Sequence, residues 1–350
     1  MELTNQPNRT LYFDILRILA TFAVIFVHSA CSLWDMDNFN FDWNMRNVYD
    51  SAGRWCVPIF VMISGALFLN PEKHISIKKL YSTNIVRIIT AFLFWSTIYV
   101  AYDYIINCNY DIKSILNSFI YGPFHFWFLF MIVGIYIAIP ILKQITTNRS
   151  IMQYFLIISF IFTFALPTIA NTIALIIPHS IIITSLIQKM DLSVAVAYSG
   201  YFILGHYLNS EQFKHSKIIN ILGLVGFFLI AVCTTIHHLI WGGVCELFYS
   251  PLSLFVLFEA IAAFLFVKNL TPRIKFSTKA INMITKISNM CFGIYLVHIL
   301  VLWLLSHYGI STNKFSTIIS IPTISILVFA ISLFISSCLY KIPFCRKYMM

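Results

Sequence analysis

The sequence predicts an all-α integral membrane protein, a polytopic bundle of about ten transmembrane helices with its N-terminus and C-terminus both cytoplasmic. Three observations carry that expectation. Of 350 residues, 59% are hydrophobic and only 10% are charged, with 33 Phe and 18 Tyr, and the mean hydropathy is +0.84; soluble globular chains are far more polar. Apolar stretches of about 20 residues, the length a helix needs to cross the hydrocarbon core, recur along most of the chain. Lysine and arginine collect in alternate connections, as they do on the cytoplasmic face of membrane proteins. A single domain over residues 1–350 is expected, with little room for a large soluble one.

The spans follow in order. Residues 11–30, LYFDILRILATFAVIFVHSA, are read as a retained helix, because they lack a short basic leader and a small-residue cleavage site. The second, 53–69, holds VPIFVMISGALFL, and the third, 85–106, begins where a basic segment ends in Arg87. The fourth, 125–142, opens with HFWFLFMIVGIYIAIP. Pro167, Asn171 and Pro178 blur the edges of the fifth and sixth, 151–177 and 193–209, the latter carrying YSGYFILGHYL. The seventh covers 218–236, the eighth 251–267 with Glu259 at its middle, the ninth 288–306 with FGIYLVHILVL, and the tenth 316–340.

With the N-terminus inside, Arg9, Lys73, Lys78, Lys79, Arg87, Lys143, Lys214, Lys268, Arg273 and Lys341 are cytoplasmic, while Arg46, Arg54, Lys113, Lys189 and Lys314 fall outside. The net charge of +10 then needs no nucleic-acid partner, since basic inner loops meet anionic lipid headgroups. The longest outer connection, from Cys31, holds Asp35, Asp37, Asp42 and Asp50 among aromatic residues. It suits either a hydroxyl-rich ligand or an ordinary solvated loop with interfacial anchors. The eight cysteines are scattered without metal-ligand spacing, so no metal is expected. Cys31, Cys108 and Cys245 lie where they could pair in an oxidising compartment, or serve as small apolar residues.

Asp14, Arg17 and His28 are costly in a lipid-spanning helix and mark a candidate site. Arg17 and His28 lie eleven residues apart, about three turns, so they share one face about 16 Å apart along the axis. Asp14 is one turn before Arg17, within ion-pair reach. Other polar residues recur at membrane depth: His125 and Trp127 at the head of the fourth span, Tyr198 and Tyr201 in the sixth, Glu259 in the eighth and His298 in the ninth. Each has a structural alternative, as an interhelical hydrogen bond or an interfacial ring. Glycine-rich phosphate loops, GxSxG elbows and HExxH are absent.

The chain resembles the acyltransferase 3 family, and within it bacterial O-acetyltransferases of surface glycans. The resemblance covers nearly the whole chain. It rests on the Arg17–His28 spacing, VPIFVMISGALFL, the basic segment ending in Arg87, HFWFL from His125, GYFILG from Gly200 and FGIYLVH ending at His298. It implies acyl transfer from acetyl-CoA to a hydroxyl of a surface polysaccharide or lipid-linked glycan, in the bacterial inner membrane, with Arg17 and His28 at the reaction site. Asp14 would hold Arg17, and His28 would act as general base. Arg87, Lys78 and Lys79 would bind the nucleotide end of the donor, and His125, Trp127, Tyr198, Glu259 and His298 would face the acceptor. The family often places a second arginine three residues before the position of Arg87, where this chain has Asn84. Succinyl or another acyl group, a transporter of a small solute such as an amino acid, and a homo-oligomeric state are also compatible with the sequence.

Overall fold

Helix α1, Leu11–Cys31, runs through the middle of the bundle, and the other helices are best located against it. In the computed structural model the described residues are 10–35, 38–72, 76–177, 189, 192–213, 217–244 and 246–350. Arg9, Asp37, Lys73, Pro178, Lys214 and Cys245 lie outside them. After α1 come α2 (Phe41–Gly53) and α3 (Cys56–Phe68), then α4 (Ile77–Ile106), α5 (Ile112–Tyr121) and α6 (Trp127–Thr146). Next are α7 (Arg149–Ala174), α8 (Leu192–Ser210), α9 (Lys217–Trp241) and the short α10 (Glu246–Tyr249). The chain ends with α11 (Leu254–Leu270), α12 (Thr278–His307), α13 (Thr317–Tyr340) and α14 (Pro343–Tyr348).

Among the described residues nine segments are long and apolar enough to cross a membrane. The sixth expected span is also a helix, α8, of 19 residues, which carries Ser199, His206 and Asn209. Its place is set by backbone contact. A Cβ at Gly205 would lie 2.0 Å from the Met62 carbonyl oxygen, and one at Gly65 would lie 1.7 Å from that of Phe202. Helices α3 and α8 thus touch main chain to main chain, the close packing that small residues allow between membrane helices. Two of the motifs that carry the family resemblance are accordingly packing surfaces.

The stretch after Cys31, read from the sequence as an outer loop, is largely helical. Asn40 caps α2 by accepting from the Trp43 amide at 2.8 Å, and α2 buries Trp43, Arg46, Asn47, Asp50 and Ser51. Averaged hydropathy conceals this helix because its buried face is polar. Arg46 donates to the carbonyls of Ala30 and Ser32 at 2.8 Å each, satisfying the C-terminal end of α1. Asn47 donates to Ala231 O and to Thr235 Oγ1, both at 2.9 Å. Asp42, at the exposed start of α2, accepts from Thr317, the first residue of α13. Helices α2 and α3 form one 28-residue segment, interrupted at Arg54 and Trp55.

Helix α1 packs against α2, α3, α11, α12 and α13. Helix α12 runs in the same direction beside it: Ser288 meets Asp14 near one end and His298 meets His28 near the other. Helix α14 folds back against α4. Cys31 and Cys108 form no disulfide among the described residues.

Candidate active site

Two polar centres lie along α1. At the first, Arg17 Nη1 is 3.1 Å from Asp14 Oδ1. Asp14 is 1% exposed and also accepts from Ser288 Oγ at 2.7 Å, which ties the pair to α12. Burial of a carboxylate is tolerable here because a cation and a hydroxyl both satisfy it. Arg17 lines a cavity of about 460 Å³ together with Ser64, Asn84, Arg87, Tyr136 and Tyr295, a size typical of small-molecule pockets. Asn84, in the last part of a short π-helical turn, Leu80–Ile85, and Arg87, just past its C-terminal end, both reach it; such a distortion is often found at functional sites. The asparagine that replaces the family's arginine therefore stays on the cavity wall as a neutral amide. Arg87 Nε donates to the main-chain oxygen of Met350, and Trp95 Nε1 donates to that of Met349 at 3.1 Å. Lys78 and Lys79 are exposed and are not part of this wall.

The second centre is a group of three histidines from distant parts of the chain. His28 from α1 has its ring 5.3 Å from His298 of α12 and 6.3 Å from His125, which sits in the turn before α6; His125 and His298 are 5.0 Å apart. His125 and His298 are buried, at 2% and 0% exposure. His298 Nδ1 lies 2.6 Å from the Tyr295 carbonyl. A carbonyl accepts, so Nδ1 carries the proton and Nε2 presents its lone pair; Nε2 has no hydrogen-bond partner. Tyr295 donates from its hydroxyl to the His125 carbonyl at 2.5 Å and also lines the Arg17 cavity. Tyr295 thus borders both the cavity and the histidine group. Among the described residues no group of three histidine, cysteine or carboxylate side chains has metal-binding geometry.

An ion pair flanks His28. Arg54, at the break between α2 and α3, bonds Asp50, stands in electrostatic reach of His28 and covers the Tyr249 ring at 4.4 Å. Glu259, 6% exposed, is within electrostatic reach of the same pair, and its Oε2 has no hydrogen-bond partner. Trp127 and Tyr198 face each other at 5.8 Å, with Trp127 41% exposed, and neither ring touches the histidines. Of the residues singled out in the sequence, the structure therefore joins His28, His125 and His298 in one group, Asp14 and Arg17 with Arg87 around the other, and Glu259 with the ion pair. Arg54, Asp50 and Tyr295 are additions. Their signals were local: Asp50 and Arg54 have the i, i+4 spacing of a helical ion pair, and Tyr295 stands one turn before His298.

The fold and site define a polytopic helical membrane protein with a histidine centre beside an arginine-lined cavity. Residues 10–340 match the family model described as an acyltransferase domain, and the chain belongs to the acyltransferase 3 family; it is a membrane acyltransferase. Neither the curated proteins nor the solved structures provide a match.

Proposed function

We propose that this protein transfers an acetyl group from acetyl-CoA to a hydroxyl of a surface polysaccharide or lipid-linked glycan, in the inner membrane of a bacterium. The observation that carries the reading is the meeting of His28, His125 and His298 beside Tyr295, which also borders the cavity walled by Arg17 and Arg87. With the N-terminus cytoplasmic, that cavity opens toward the donor side and His28 faces the acceptor side. Arg17 and Arg87 suit the donor's anionic and carbonyl oxygens, which guanidinium groups bind through paired donors. His28 takes the proton of the attacking hydroxyl as its oxygen bonds the thioester carbonyl carbon. The carbon–sulfur bond then breaks, the thiolate leaves with a proton returned from the imidazolium, and an ester and a free thiol result. The protonated Nδ1 of His298 and its open Nε2 favour a role in orienting His28 and sharing that proton. Arg54 and Asp50 hold the outer end of α1 in register.

The test is mass spectrometry of the surface glycan from cells carrying the wild-type gene, the His28→Ala gene or no gene, with membrane insertion checked by immunoblot. The expected result is one acetyl group per modified residue in the wild type alone. Full acetylation by inserted His28→Ala protein would falsify the base assignment, and a glycan of identical mass in all three strains would remove the glycan as acceptor.

A further inference from the structure

A second cavity, of about 450 Å³, opens at the His28 end between α4, α5 and α12 and shares no lining residue with the Arg17 cavity. Its aromatic wall is Tyr102 and Trp303, with ring centroids 5.7 Å apart and planes 33° apart. Its innermost residue is Tyr99, 4% exposed, which lies 5.6 Å from Trp303 on one side and 5.6 Å from His125 on the other. Asp103, Asn107 and Ser306 supply hydrogen-bonding groups around the opening. The carboxylate is held in place: Asn107 and Asn109 donate to its two oxygens at 2.8 and 2.7 Å, and each oxygen retains a lone pair for a ligand.

The chemistry of this lining differs from that of the Arg17 cavity. It holds one carboxylate, the imidazole of His307 and neither lysine nor arginine, so an anionic donor would find no guanidinium or ammonium group there. Flat rings beside fixed acceptors suit a molecule with an apolar face and a rim of hydroxyls, which is the shape of a pyranose: its C–H face lies on an indole or phenol, and its hydroxyls donate to carboxylate and amide oxygens. The floor of the cavity is also bonded to the histidine centre. The Tyr99 hydroxyl donates to Leu296 O and accepts from Leu300 N, both at 3.0 Å, and these two residues bracket His298.

Building on the acyl-transfer reading above, we infer that this cavity is the acceptor subsite and takes a neutral sugar ring, stacked against Trp303 and Tyr102 with a hydroxyl donated to Asp103. Trp127 is then a lipid-facing ring rather than the acceptor platform.

Saturation-transfer NMR tests this on the full-length protein in lipid nanodiscs, with methyl glucoside, methyl galactoside and methyl N-acetylglucosaminide as probes and no donor present. Saturation is expected to reach the C–H protons of at least one glycoside. Binding is expected to weaken about tenfold in Trp303→Ala and in Asp103→Asn, the scale on which an interfacial anchor is lost, and to persist largely in Trp303→Phe. Absence of transfer to every glycoside, or equal transfer in wild type and both weakened variants, overturns the assignment. If Trp303→Ala does not remain monodisperse, the half-exposed Asp103→Asn decides. A glycoside that binds wild type in this way while labelled acetyl-CoA yields no ester would retain the sugar site and remove the acyl-transfer reading. Transfer whose acceptor KM is unmoved by Asp103→Asn would do the reverse.

Discussion

The two ends of α1 carry their chemistry in different ways. At Arg17 the partner carboxylate is one turn away in sequence, and the ion pair forms on a single helix before any packing is considered. At His28 nothing nearby in sequence completes the site; His125 and His298 come from segments 97 and 270 residues further on, and Arg54 arrives from the break between α2 and α3. A local pair is specified by spacing, whereas a convergent centre exists only once α1, α12 and the turn before α6 have packed. The first end should therefore tolerate change in its surroundings, and the second should be sensitive to it.

The largest effect is expected from His28→Ala, a loss of about a thousandfold in acyl transfer by purified protein, within the range for a general base; a rate within a few-fold of wild type would remove the base from this end. Next is Asp50→Ala, which leaves the Arg54 guanidinium without its buried partner. Its cost should be about 3–5 kcal/mol of stability, visible as earlier thermal unfolding in detergent, and the paired Asp50→Leu, Arg54→Leu variant should recover most of it. If Asp50→Ala melts like wild type, the His28 end is not held by this pair. His298→Ala should lower kcat by about a hundredfold with little change in donor KM, and an unaltered kcat would separate His298 from the chemistry. At the other end, Arg17→Ala and Arg87→Ala should raise donor KM about tenfold, the value of one charge-assisted bond. Lys78→Ala and Lys79→Ala should stay within about twofold, as exposed charges contribute little. Lysine variants as damaging as Arg87→Ala would move the donor away from the cavity.

Much of the fold was legible because lipid imposes length and hydropathy on every span. The exception among the helices is α2, whose buried face is arginine, asparagine and aspartate, so its polar residues resemble a solvated connection until their partners on α1, α9 and α13 are seen. The motifs divided in a similar way. GYFILG and ISGALF marked a real constraint, the contact of two backbones at Gly65 and Gly205, and ISGALF also gives Ser64 to the cavity wall. Lys78 and Lys79 were grouped with Arg87 by proximity in sequence, yet the π-helical turn between them directs only Asn84 and Arg87 to the cavity wall.

By itself the sequence determined the membrane-helical class, the family, the shared face of Arg17 and His28 and the Asp14–Arg17 pair, because hydropathy and helical periodicity are properties of consecutive residues. Only the tertiary structure decided which histidines meet, that Tyr295 borders both them and an arginine-lined cavity, and that an aromatic pocket beside Tyr99 abuts the same centre. Those relations join residues hundreds of positions apart, and they are set by how helices pack side by side, which no local pattern records.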